Sequence, residues 1–424
     1  MEKKRIAKNG IAVYEYKNPK LHGFFASLFL RAGSMYEAQG DEGITHFLEH
    51  VLVRNVNKLS DMKLYEELDE RGLVFNASTY SEMVQFYTSG ASERLLDGAG
   101  VLKKLFSPIV LSKDEIDTER RRIKAEIREN DDKNSISAIA SAAVYSGTSL
   151  AGSITGSVKS VNAIGKTHLE EYRREVFTRE NIFFYLSGNF SDADADALLD
   201  MIGNLAVSEG TLRDNTAPVP QNFGKRAPDI TVKNSDYTSV RFSFDIDLSR
   251  VNSAAVDLVY DILLSGYSAP FFIEMSEERG LFYDISGLTE YYKNIGVFHF
   301  GFDVIERNLY AAIETSVNIL RDFKNKLLPE NKCMKAGYTT NSHLLLDDAR
   351  EYNFTFAYDN HILGLNAPSV EARAALYGGV TPEEIRAVAC EIFRPQNLTL
   401  TLKGNKKRID TERIRNILAS LSAN

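Results

Sequence analysis

The chain repeats itself. Residues 175–189, Glu-Val-Phe-Thr-Arg-Glu-Asn-Ile-Phe-Phe-Tyr-Leu-Ser-Gly-Asn, and residues 391–405, Glu-Ile-Phe-Arg-Pro-Gln-Asn-Leu-Thr-Leu-Thr-Leu-Lys-Gly-Asn, read alike. Each is a helix end, a turn, a strand and a Gly-Asn turn. The offset is constant across the stretch: 397 − 181 = 216 for the first asparagines and 404 − 188 = 216 for the glycines. Helical stretches opening near Lys166 and Thr381 precede the two copies. A weaker echo pairs Ser92-Glu93-Arg94 with Ile305-Glu306-Arg307, each opening an amphipathic helix after a strand. A shared offset over this length points to duplication. The chain is therefore expected to hold two related domains of about 210 residues, a usual domain size. The junction falls at 208–229, where Pro218, Pro220, Pro228 and Gly224 sit among polar residues. The expected division is 1–207, a linker over 208–229, and 230–424.

Each half opens with strand signals. Ile11–Tyr16 and Phe24–Leu30 form the first pair, and Thr238–Ile246 alternates apolar and polar residues in the second half. Helices are expected over Asp61–Arg71 and Ala254–Leu264. Strands mixed with long helices, without a strict β-α-β rhythm, indicate an α+β fold with antiparallel sheets packed against helices.

Composition narrows the function. A net charge of −8 and a pI near 5.6 argue against nucleic acid as the main partner. No stretch is long and apolar enough to span a bilayer, so no membrane role is expected. The basic start Met1-Glu2-Lys3-Lys4-Arg5 is followed by no apolar run, so no secretory signal is read and a cytoplasmic location is expected. The 2 cysteines, Cys333 and Cys390, imply no disulfide framework.

The chemistry concentrates in His46-Phe47-Leu48-Glu49-His50. Residues four apart share one helix face, so both imidazoles can reach one metal ion, with Glu49 projecting from nearly the same side. Ile44, Phe47, Leu48, Val51 and Leu52 supply an apolar stripe at helical spacing. Thr45 or Asp41 is expected to cap this helix, Glu42 to favour its first turn, and Asn55 and Asn57 to signal its exit. The order H-x-x-E-H inverts the zinc-peptidase motif H-E-x-x-H. A hydrolytic zinc site needs a third protein ligand and an open position. The downstream run Glu115–Glu129 reads as a charged helix in which Glu119 and Glu126 stack two turns apart. A salt-bridged, solvated face is the ordinary reading of such a run. His22, His168, His299, His343 and His361 have no metal-like spacing. No Ser-His-Asp arrangement or Gly-rich phosphate loop competes.

H-x-x-E-H followed by a glutamate 76 positions on (126 − 50 = 76), with another glutamate seven residues before that, resembles the pitrilysin–insulinase family of inverted-zincin metallopeptidases. Gly43-Ile44-Thr45 before the motif and Asn76-Ala77-Ser78-Thr79 after it are similar to its processing-peptidase branch. The resemblance implies that His46, His50 and Glu126 bind zinc, that Glu49 is the general base, and that Glu119 orients a ligand. It implies that Asn76, Ala77, Ser78 and Thr79 form an edge strand to which the substrate backbone adds. It also implies two α/β-roll halves facing each other like a clam shell around a peptide substrate. In the second half, adding 216 to His46 and His50 reaches Ile262 and Gly266, neither of which binds metal. That half would instead shape the cavity. The family phrase R-E-x-x-G-L-x-Y corresponds to Ser276–Tyr283 here, so Tyr283 keeps a substrate-gripping tyrosine while Ser276 replaces the arginine. Members of this length often work as pairs. The resemblance therefore implies a dimer, in which a related chain could supply the arginine. The expected activity is zinc endopeptidase action on peptides or unfolded precursor segments. The alternative is a non-catalytic or regulatory scaffold subunit, which the intact H-x-x-E-H disfavours.

Overall fold

The computed structural model describes residues 2–129, 134–282 and 284–422. Eleven strands form two sheets among the described residues. The first contains β1 (Lys3–Ile6), β2 (Ala12–Lys17), β3 (Gly23–Leu30), β4 (Val74–Thr79), β5 (Val84–Ala91) and β6 (Ile182–Gly188) in the order β1-β2-β6-β3-β5-β4. The second contains β7 (Asp229–Asn234), β8 (Thr238–Asp247), β9 (Ile285–Tyr291), β10 (Ile295–Val304) and β11 (Leu398–Gly404) in the order β7-β11-β8-β10-β9. Without β1, the orders coincide. So do the directions: β2–β6 and β7–β11 are parallel and every other pair is antiparallel. The α+β expectation holds, and the duplicated sequence has folded into one topology twice.

Sequence explains which strands are central. β3, Gly-Phe-Phe-Ala-Ser-Leu-Phe-Leu, is apolar on both faces and almost wholly buried. Its Phe24, Ala26, Leu28 and Leu30 join the main core with Ile44, Phe47 and Val51 of the helix Ile44–Lys58. Its Phe29 belongs to a second cluster with Met83, Phe183 and Tyr185. β8 alternates instead. Val240, Phe242, Phe244 and Ile246 share one core with Val256, Val259 and Leu263 of the helix Ser253–Leu264, while Ser243 and Asp245 alternate to the other face.

The chain divides into two compact units that are not consecutive in sequence. One is Met1–Asp131, Gly152–Asn215 and Ser342–Ala372; the other is Asp132–Ala151, Thr216–Asn341 and Arg373–Asn424. The halves thus exchange a segment each. The helix Ala349–Phe356 packs on β3 and β6, where Tyr352 and Phe356 join Phe29 and Tyr185. Asn353 is fully buried there and donates to the carbonyls of Phe25 and Tyr185, at 3.1 and 2.9 Å. Conversely, the helix Ile136–Val144 packs on β8 and β11. Arg226, buried against Asp245 at 2.6 Å, also donates to the Val144 carbonyl at 2.7 Å. A consecutive division of the chain does not foresee this exchange. Residues 208–228 form no helix or strand.

Candidate metal centre

The helix Ile44–Lys58 starts differently from the capping expectation. Gly43 stands before it at φ +89°, and a Cβ there would lie 2.6 Å from the Thr155 carbonyl oxygen. The cap is the Glu37 carboxylate, which accepts from the backbone N–H of Gly43 at 2.8 Å and of Thr45 at 2.9 Å. A carboxylate at this end also complements the helix dipole. Thr45 does not cap; its hydroxyl meets the Tyr172 hydroxyl at 2.7 Å. The helix does end where Asn55 and Asn57 signal its exit, at Lys58, and the Leu59 N–H that follows donates to both asparagine carbonyls. Both residues are buried within the helix, and Asn55 bonds to Pro108 and Val110 on the segment leading to the next long helix.

That next helix, Lys113–Glu129, buries Ile116, Glu119, Ile123 and Ile127. This stripe turns Glu119 and Glu126 toward the histidines. Glu126 Oε2 lies 3.8 Å from His46 Nε2 and 3.6 Å from His50 Nε2. The three donor atoms lie within 4.8 Å of one another, and they form the one such group among the described residues. Two bonds of about 2.0–2.2 Å at a tetrahedral angle put donors roughly 3.4 Å apart, so the set fits a zinc-sized ion. Its chemistry fits as well. Burial, helped by the His50 charge, pushes His46 down to about 3, so its ring is neutral with a lone pair to offer. His50 is held otherwise. Burial alone would lower it, but the Glu119 hydrogen bond and the charges of Glu49 and Glu126 outweigh that and raise it.

Glu119 is buried, yet its carboxyl is held below the usual range. Burial opposes this, and hydrogen bonds from His50 and Arg54 with the charge of Arg122 overcome it. Its Oε2 lies 3.4 Å from His50 Nδ1, and its Oε1 accepts from Arg54 Nη1 at 2.8 Å. Glu49 is raised by burial, in part offset by the Thr79 hydroxyl. Thr79 Oγ1 donates to Glu49 Oε2 at 2.5 Å.

Thr79 ends β4, an edge strand. Asn76 is exposed, and Ala77, Ser78 and Thr79 are half-buried. The Ala77 N–H is covered by Asn76 Oδ1 at 2.9 Å. Tyr283 lies outside the described residues. Ser276 lies in the π-helical stretch Phe272–Glu277 and accepts from the Gly280 N–H, while Arg279 turns to Thr315 at 3.4 Å.

Two models meet the sequence. Residues 13–158 match Insulinase (Peptidase family M16), and residues 163–336 match Peptidase M16 inactive domain. The chain belongs to the insulinase family of peptidases. An uncharacterized zinc protease of Rickettsia felis is 25% identical to this insulinase-family chain over 397 residues, covering 91% of this chain and 90% of its own. The human mitochondrial-processing peptidase subunit beta is 28% identical over 176 residues, 41% of this chain and 35% of its own. In fold, a protease from Helicobacter pylori superposes with a TM-score of 0.82 at 16% identity, over 95% of this chain and 99% of that one.

Within the family match, the structure brings His46, His50, Glu126, Glu49 and Glu119 together, all inside residues 13–158. The other histidines stand apart. His299 is buried against Ser243 at 2.9 Å, and His361 stacks on Tyr14 at 3.6 Å between ring centroids. Glu37, Arg54 and the Thr79–Glu49 bond escape a sequence reading. Only the basic residue one turn beyond His50 gave a signal for any of them, since residues i and i+4 share a face.

Proposed function

We propose that this chain is a zinc-dependent endopeptidase, with His46, His50 and Glu126 as metal ligands and Glu49 as general base. The observation carrying this is the convergence of three donor atoms from two helices within 4.8 Å, beside the half-buried Glu49 carboxylate. Zinc held there would supply Lewis-acid polarisation of the scissile carbonyl and ease deprotonation of water. Glu49 takes the water proton and later gives it to the leaving amine. The desolvation that raises its carboxyl suits a group that must hold a proton briefly near neutral pH. Thr79 fixes one of its oxygens, which leaves the other for water. β4 presents an open backbone edge beside this carboxylate, suited to an extended peptide adding as a strand. The substrate would be a peptide or an unfolded precursor segment. Ser276 in place of the expected arginine favours a heterodimer in which a related chain contributes the missing cation. The second domain would then shape the cavity.

Glu49→Gln provides the test, with metal analysis and a quenched-peptide assay on both proteins. Zinc near one equivalent is expected in each. Hydrolysis should fall by about 10²–10⁴-fold in the variant. Equal turnover by the two proteins would remove Glu49 as the base.

A further inference from the structure

Arg54 takes no part in the chemistry above and touches none of the three donor atoms. It lies four residues after His50, one turn on and on the same helix face. Its guanidinium is mostly buried, at 18% side-chain exposure, and reaches Glu119 Oε1 at 2.8 Å. Glu119 itself is 2% exposed. Its other oxygen, Oε2, faces His50 Nδ1, the ring nitrogen turned away from Glu126. Cation, carboxylate and imidazole thus form a row ending at a donor atom of the metal set.

We infer that Arg54 is a positioning residue of the metal centre: it pins the Glu119 carboxylate so that His50 presents Nε2 toward Glu126. This rests on the zinc-ligand reading of His46, His50 and Glu126. The physical case is one of desolvation. A carboxylate taken out of water needs partners of opposite charge or strong donors, and removing one leaves a costly group that moves or turns. The remaining cation, Arg122, is 64% exposed and bonds Oε1 at 3.1 Å from its own helix. A cation so open to solvent is screened and holds the carboxylate less firmly than the mostly buried Arg54. Arg54 approaches from the histidine helix instead, so its bond to Glu119 ties the two ligand-bearing helices to each other. When Glu119 is free to turn, His50 Nδ1 loses its acceptor. Ring tautomer and direction are then no longer imposed. Outer partners of ligating histidines typically govern metal affinity by 10–100-fold.

The experiment measures zinc affinity of the full chain by competition with a chromophoric chelator, alongside the visible spectrum of the cobalt-loaded protein. Arg54→Met should weaken zinc binding about 10–100-fold and alter the cobalt bands. Arg54→Lys should recover part of that affinity, since an ammonium keeps the charge without the fork. Arg122→Met should leave it close to wild type. Glu119→Gln should match Arg54→Met, and the double variant should be no weaker than either, because the two act as one unit. Thermal midpoints of the metal-free proteins separate this from a general loss of structure. If Arg54→Met does not fold, Arg54→Lys and Glu119→Gln carry the test. Wild-type affinity in the variants that fold overturns the inference alone, as do additive losses in the double variant. A wild-type chain that binds no zinc overturns the proposed function and the inference with it.

Discussion

Glu49 is positioned from outside its own helix. Thr79 reaches it from the end of β4, thirty residues on (79 − 49 = 30), in a bond of 2.5 Å. A hydrogen bond to a charged group contributes about 1.5–3 kcal/mol. Thr79→Val should therefore lower kcat roughly 10–100-fold, at 1.36 kcal/mol per decade. KM should change little, because the variant removes no substrate contact. Thr79→Ser should restore most of the rate. A Val variant with an unchanged kcat would show that Glu49 needs no such support. His46, Glu49 and His50 were legible because helical periodicity puts them on one side, whereas Glu126 was singled out only by the family resemblance, since its heptad spacing from Glu119 equally suits a solvated face. Thr79 was legible as part of an edge strand but not as a partner of Glu49. That contact depends on how β4 meets the histidine helix, and no local pattern encodes it.

Comparing the two sheets element by element shows what duplication preserved. The hairpin turns correspond with an offset of 212, as 291 − 79 and 296 − 84 both show, so the spacing of 216 near the chain's repeated phrases does not extend here. Asp257 occupies the station of Glu49: it is the helix carboxylate that accepts from the edge strand of its own sheet, through Thr289 at 3.1 Å and Tyr291 at 2.6 Å. Glu49 has histidines three before and one after it. Asp257 has Ala254 and Leu258, both buried in the core. These, rather than Ile262 and Gly266, stand at the positions that His46 and His50 hold in the first half. The carboxylate-to-edge-strand bond is thus present in both halves, with histidines beside it in only one. Strand and helix positions were otherwise read closely: Phe24–Leu30 against Gly23–Leu30, and Ala254–Leu264 against Ser253–Leu264. Apolar alternation and helical stripes record burial, and burial is what fixes these elements. β4 itself invites a test. The Ala77 N–H donates to the neighbouring Asn76 side chain, and proline is tolerated on edge strands. Ala77→Pro should leave the thermal midpoint within a few degrees of wild type while raising KM about tenfold or more, if peptides pair there. An unchanged KM would place the peptide elsewhere.

The exchange of segments governs how the chain can be divided. Its sequence signature was faint. Tyr352, Phe354 and Phe356 alternate at the helix Ala349–Phe356, yet nothing local says which sheet that helix covers. The structure places Tyr352 and Phe356 over Phe29, Met83, Phe183 and Tyr185 of the first sheet. A fragment ending at residue 207 would bare that face. Each large apolar side chain so exposed costs about 1.5–3 kcal/mol, so four amount to roughly 6–12 kcal/mol, comparable to the net stability of a whole domain. The metal motif lies entirely inside such a fragment, but the sheet supporting it would lack its cover. Residues 1–207 expressed alone should therefore aggregate or bind a hydrophobic dye strongly, and co-expression with 208–424 should restore a soluble pair. A finer version needs no cut. Asn353→Ala takes one donor from each of the Phe25 and Tyr185 carbonyls and the acceptor from the Ser27 hydroxyl inside the core, at about 1–3 kcal/mol for each group left unsatisfied. Denaturant unfolding should show a loss on the order of 2–4 kcal/mol in the transition that includes the first sheet. Zinc affinity should hold wherever that sheet remains folded, since Asn353 is absent from the ligand set. A stable, monodisperse 1–207 fragment, or an Asn353→Ala chain as stable as wild type, would mean that the exchanged helix is an accessory to the first domain rather than part of its core.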